Sequence, residues 1–118
     1  MGRLSTHVLD TVAGRPAAGM EITLERLDGD GGRALVKHVV TNADGRTDEP
    51  LLTGEALIAG TYELTFQVEA YFRTTGAARG EPAFLTEVPI RFTVGDSAAH
   101  YHVPLLVTPW SYQTYRGS

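Results

Sequence analysis

Two histidines stand two residues apart in His100-Tyr101-His102-Val103-Pro104-Leu105-Leu106-Val107. Read as a β-strand, this run places Tyr101, Val103, Leu105 and Val107 on one face, fit for a core. The opposite face carries His100, His102, Pro104 and Leu106. Near the start, Ser5-Thr6-His7-Val8-Leu9 repeats the pattern, with Thr6 and Val8 on one side and His7 and Leu9 on the other. Imidazole titrates near neutrality, so such histidines suit proton transfer or, when neutral, metal binding. His100 and His102 on one face can chelate zinc or copper with His7 as third ligand. No His-x-x-Glu or cysteine partner is evident, so no metal is expected. A face mixing histidine with leucine and proline is too apolar for free solvation and reads as an interface or ligand channel. His38, among valines, reads as an ordinary surface or packing residue.

A guanidinium accompanies the imidazoles. In Thr41-Asn42-Ala43-Asp44-Gly45-Arg46-Thr47-Asp48 the Asp44-Gly45 pair predicts a hairpin turn, and Arg46 leaves from the rim of a sheet. It stays protonated, so it can bind an oxygen or stabilise negative charge but not act as a base. Taken alone, it is an ordinary solvated arginine. The sequence closes on Tyr112-Gln113-Thr114-Tyr115-Arg116-Gly117-Ser118. Here Gln113 and Tyr115 share a predicted face, Gly117 permits close backbone approach, and Ser118 offers a hydroxyl. Termini are usually frayed and polar, whereas this one carries two tyrosines at strand-like spacing and an arginine.

The elements that must position these groups are strands. Met20–Leu27, Thr61–Val68 and Glu87–Val94 alternate apolar and polar residues, as half-buried strands do. Residues 4–10, 34–42, 100–108 and 111–118 read as further strands with less tidy faces. Gly- and Asp-rich segments separate them as turns. Residues 68–76 predict a short helix that packs Tyr71 and Phe72 on a sheet and ends at Gly76. Seven or eight strands and one helix imply two packed antiparallel sheets. Pro89 must then lie at a strand start or edge.

The bulk numbers bound the rest. The 118 residues form one domain, 1–118, able to bury roughly two thirds of its unfolded surface. A net charge of -4 argues against a general grip on nucleic acid or anionic membrane. The absence of cysteine excludes disulfides, thiolate catalysis and Cys-type metal sites. No run is apolar enough for a signal peptide or a membrane span, so a cytoplasmic location is expected.

The segments STHVLDT, DGRTD and HYHVPLLVTPWSYQTYRGS, with GTYELTF and AYF between them, resemble the transthyretin-related family, and within it the hydroxyisourate hydrolases. The resemblance spans nearly the whole chain, and the terminal Tyr-Arg-Gly-Ser is its most specific part. It implies a transthyretin-like sandwich of two four-stranded antiparallel sheets with one short helix. It further implies a homotetramer, a dimer of edge-paired dimers, with sites at the two mouths of a channel. The family's site residues fall on His7, Arg46, His102 and the terminal Tyr115, Arg116, Gly117 and Ser118. The implied reaction is hydrolysis of 5-hydroxyisourate to 2-oxo-4-hydroxy-4-carboxy-5-ureidoimidazoline in urate breakdown. His7 or His102 would serve as base, Arg46 would hold the developing negative charge, and Ser118 would contribute its hydroxyl or carboxylate. Tyr115, Arg116 and Gly117 would contact substrate. This chemistry requires no cofactor. Two other readings stand beside it: a carrier of small hydrophobic ligands in the same channel, and a non-catalytic β-sandwich interaction module.

Overall fold

A computed structural model describes residues 1–77 and 82–118. In chain order the strands are β1 (Arg3–Asp10), β2 (Arg15–Pro16), β3 (Glu21–Leu27), β4 (Arg33–Val40), β5 (Leu52–Thr53), β6 (Gly60–Gln67), β7 (Glu87–Val94), β8 (His100–Val107) and β9 (Tyr112–Thr114). Helix α1 (Val68–Thr75) lies between β6 and β7. One sheet runs β2-β1-β8-β9, with β5 also paired to β1, and the other runs β4-β3-β6-β7.

The period-two residues make the core. Leu4 and Val8 of β1 and Val103, Leu105 and Val107 of β8 are buried. Across from them lie Ile22 and Leu24 of β3, Tyr62, Leu64 and Phe66 of β6, and Val88 and Val94 of β7. Each large side chain so buried contributes about 1.5–3 kcal/mol. Thr6, 1% exposed among them, donates its hydroxyl to the Val103 carbonyl at 2.7 Å, so its burial leaves no polar group unpaired.

Three features depart from the sequence expectation. The pairing of β1 with β8 is parallel, whereas every other ladder is antiparallel. A parallel pair needs a crossover connection, and residues 11–99 supply it. The short strands β2 and β5 lie outside the segments that read as strands, because two residues carry no periodicity. The predicted Thr41–Asp48 hairpin is instead a crossover loop, since β4 belongs to one sheet and β5 to the other. The Asp44-Gly45 turn itself survives within it.

The helix forms where predicted. Tyr71 and Phe72 are buried, and Gly76 ends it at φ 79°. Pro89 sits on β7, an edge strand, where a missing ladder donor is tolerated. The Tyr71 hydroxyl donates to Asp10 Oδ2 at 2.8 Å, while Oδ1 accepts the Val12 and Ala13 amides at 3.0 and 2.9 Å. Burial, and then Asp10 as hydrogen-bond partner and charge, push the Tyr71 hydroxyl up to about 12. This network fastens α1 to the end of β1. Tyr71→Phe leaves the carboxylate of Asp10, 2% exposed, without one partner. It should lower stability by about 1–3 kcal/mol in urea unfolding; unchanged stability would show that the two amides suffice.

Candidate active site

The parallel register sets Ser5 beside His102, His7 beside Pro104 and Leu9 beside Leu106. All six project from the outer face of the sheet, because their neighbours Leu4, Thr6, Val8, Val103 and Leu105 point into the core. Gln113 of β9, opposite Leu106, joins that face. His7, His102, Leu9 and Leu106 are half-buried, and Pro104 is fully buried. The mixed face expected from alternation is therefore present.

The crossover loop brings Arg46 to it. The Asn42 side chain organises the turn: its Oδ1 accepts the Asp44 and Arg46 amides at 2.9 and 3.2 Å. Its Nδ2 donates to Asp48 at 3.1 Å. The loop docks on β1 through the Val8 amide, which donates to the Gly45 carbonyl at 2.8 Å. Gly45 adopts φ 72°, and a Cβ there would run into the Val8 carbonyl oxygen. Only glycine satisfies both the left-handed conformation and the close approach.

The electrostatics report the resulting proximity. Burial first, and then the charge of Arg46, hold His7 below the usual 6.5, against a hydrogen bond to the Asp44 backbone that raises it. Burial again leads at His102, followed by Arg46, His7 and Arg3, all lowering. Both imidazoles are therefore neutral bases at neutral pH, beside a permanent cation. His102 Nδ1 is 2.8 Å from Ser5 Oγ. Asn42, Ser5 and Arg3 are site components that sequence reading passed over. Ser5 and Arg3 share the alternation of His7, so strand parity was the signal available. Asn42 announced itself only as a turn residue.

The terminal segment divides. The Gly117 amide donates to the His102 carbonyl at 2.7 Å, and a Cβ on Gly117 would come within 2.7 Å of His102 Cδ2. This segment therefore packs directly on the imidazole, and exposed Ser118 follows it. Arg116 instead lies over the Tyr101 ring, 4.3 Å from its centroid, and donates to the His100 carbonyl at 3.2 Å. Tyr115, expected beside Gln113, lines a cleft with Ile90, Phe92, Tyr101, Val103 and Arg116. Strand β9 ends at Thr114, so its alternation does not extend to Tyr115. His100 donates Nε2–H to the Met1 carbonyl at 3.1 Å. Among the described residues no group of three or more histidines, cysteines or carboxylates is placed to hold a metal. His38 pairs with Glu21 at 3.2 Å on the other sheet, as an ordinary surface residue.

A surface depression of about 670 Å³ lies on the outer face of the second sheet between Glu25, Arg33 and Glu63. It contains none of the imidazoles. Its charges satisfy one another: Arg33 bonds Glu63 at 2.7 Å and Glu25 at 3.0 Å, and Arg91 bonds Glu63 at 3.1 Å. The candidate site is the histidine face, which is open in the single chain.

A two-sheet sandwich with one short helix and a histidine–arginine outer face defines a transthyretin-like protein. The chain belongs to the HIUase/Transthyretin family, whose pattern it matches over residues 4–117. It is 58% identical over 118 residues to the 5-hydroxyisourate hydrolase of Ralstonia nicotianae, covering 100% of both chains. Among solved structures it is similar to (S)-allantoin synthase, with a TM-score of 0.93 and 46% identity; the match covers 99% of this chain and 44% of that longer one. It is also similar to sea bream transthyretin in complex with thyroxine, with a TM-score of 0.87 and 28% identity, covering 98% of this chain and 94% of that one.

Titration followed by NMR should find both His7 and His102 with midpoints below 6.5. The sign follows from burial and a neighbouring cation, both of which oppose protonation. Arg46→Gln should raise both midpoints and leave them still lowered, because burial persists. Midpoints indifferent to this substitution would separate Arg46 from the pair.

Proposed function

We propose that this protein hydrolyses 5-hydroxyisourate, opening a ring at an amide-type bond, with His102 as general base. The observation that carries this reading is the convergence of two neutral imidazoles and one guanidinium on a single half-apolar face. Hydrolysis at a carbonyl needs a proton acceptor for water, a positive group for the oxygen that becomes negative, and a proton for the departing nitrogen. His102 takes the water proton, which leaves hydroxide to add to the carbonyl carbon. Arg46 stabilises the resulting oxyanion, a role in which one good donor is worth about 3 kcal/mol. The tetrahedral centre then collapses: the C–N bond breaks, and the protonated imidazole returns its proton to nitrogen. The immediate products are a carboxylic acid, which loses its proton to solvent, and a free N–H. His7, fixed against the Asp44 backbone, orients water or substrate. Ser118 contacts substrate beside the His102 ring. Arg116 and Tyr115 anchor the segment that carries Gly117 and Ser118.

Self-association completes the site in this reading. β7 and β9 are both open sheet edges, and the cleft between them is lined by Ile90, Phe92 and Tyr101. Pairing along these edges would bury that apolar surface and avoid exposed ladders. Stacking two such pairs through the half-apolar face of β1 and β8 would form a channel and enclose the histidines. A homotetramer is the simplest assembly that covers both surfaces.

Freshly oxidised urate, followed by ultraviolet absorbance, tests the activity. The intermediate should decay faster with the protein than without it; no acceleration, together with binding of apolar dyes, would favour a carrier. His102→Asn should reduce turnover about a hundredfold or more while the assembly persists in light scattering. Wild-type rates in that variant would remove His102 from the mechanism. Gly117→Ala should displace the imidazole and reduce kcat with little change in melting temperature. Normal kcat would show that the terminal segment does not set the ring's position.

A further inference from the structure

His102 is held on two sides. Its Nδ1 faces Ser5 Oγ at 2.8 Å, and its Cδ2 edge packs on Gly117, where there is no room for a Cβ. These two ring atoms flank Cγ, the attachment point, so the nitrogen left at the distal end is Nε2. The ring thus spans from β1 to the terminal segment, with Nε2 outermost on the face that carries His7 and receives Arg46. Ser5 is placed by backbone register alone: it is the Cα partner of His102 in the parallel ladder, and β1 has no freedom to slip without turning Leu4 and Val8 out of the core.

We infer that Ser5 is a positioning residue whose hydroxyl oxygen accepts Nδ1–H of His102, leaving Nε2 as the unprotonated nitrogen that takes the proton from water. This deepens the hydrolase reading and rests on it. In a neutral imidazole one nitrogen carries hydrogen and the other a lone pair, and the partner of the first selects the state of the second. A lone pair at Nε2 also suits the local field better than an N–H dipole aimed toward arginine. The opposite arrangement, with Ser5 donating to Nδ1, would place hydrogen on Nε2 and leave the lone pair on Nδ1, engaged by Ser5, so that Nε2 could not take a proton from water. Serine suits the position because its side chain is short enough to reach across one ladder spacing without lifting the ring off Gly117.

Nitrogen NMR of the histidine-labelled protein, at a pH above the His102 midpoint, reads the tautomer directly. Wild type should show hydrogen on Nδ1 and a lone pair on Nε2; Ser5→Ala should show a mixture; Ser5→Thr, which keeps the hydroxyl, should restore the wild-type pattern. In the ultraviolet assay Ser5→Ala should lose about tenfold or more in kcat, with KM within about twofold, and Ser5→Thr should recover most of the loss. Hydrogen on Nε2 in wild type, or a Ser5→Ala protein with unchanged tautomer and unchanged kcat, overturns the inference. The expected tautomers in a protein that fails to accelerate decay of the intermediate would support the Ser5 hydrogen bond and overturn the hydrolase reading instead.

Discussion

The parallel ladder between β1 and β8 is the constraint on which the site depends. Eight consecutive residue pairs fix Arg3 to Asp10 against His100 to Val107. On the inner side that register is enforced by Leu4, Val8, Val103 and Leu105, all buried. On the outer side the same register delivers Ser5 to His102 and sets His7 two residues farther along. A slip of one residue would exchange the two faces, so core packing and site geometry are inseparable here. The apolar residues hold the chemistry in place without touching it.

A second layer of organisation comes from the loop between the two sheets. Asn42 closes it, Gly45 permits its contact with the β1 backbone, and Arg46 is carried to the imidazoles as a consequence. The cation then acts on its neighbours through space. Arg46 and burial act in the same direction on both histidines, and Arg3 adds to them at His102, so permanent positive charge stands beside two groups discouraged from becoming positive. The guanidinium beside the rings thus suits an anionic or strongly polar oxygen, while both imidazoles are held toward their neutral form. One carboxylate opposes these effects, Asp44 at His7, whereas Glu25 and Glu63 are engaged by Arg33 and Arg91 on the far sheet.

Much of this was legible before any coordinates. Alternation gave the inward and outward residues of β1, β3, β6, β7 and β8, because a half-buried strand leaves its period in the sequence. The helix over 68–75 was legible from Tyr71, Phe72 and the closing Gly76. His7, His102 and Arg46 stood out by residue type, family resemblance supplied their grouping, and the structure brings them near one another. Strand direction was not legible. Nothing local distinguishes a parallel from an antiparallel neighbour when ninety-odd positions separate the partners in sequence, roughly the whole chain. The loop at 41–48 was misread as a hairpin for the same reason: a turn pair fixes a reversal of the chain, not the sheet in which the next strand lies. Ser5 was passed over because parity placed it only on the face of His7; its meaning comes from the residue opposite, His102.

The ladder that carries the candidate site joins β1, the first long strand, to β8 near the other end of the sequence. During synthesis β1 leaves the ribosome with one apolar edge and must wait for nearly all remaining codons to be read before its neighbour exists. Contacts so distant in sequence are slow to form, since chain closure has to precede any gain from pairing. The β3-β4-β6-β7 sheet, built from nearer neighbours, can assemble earlier and offer β1 a surface to rest on. Catalytic competence is then among the last properties the nascent molecule acquires, and a chain released short of β8 would have a partial fold and no site.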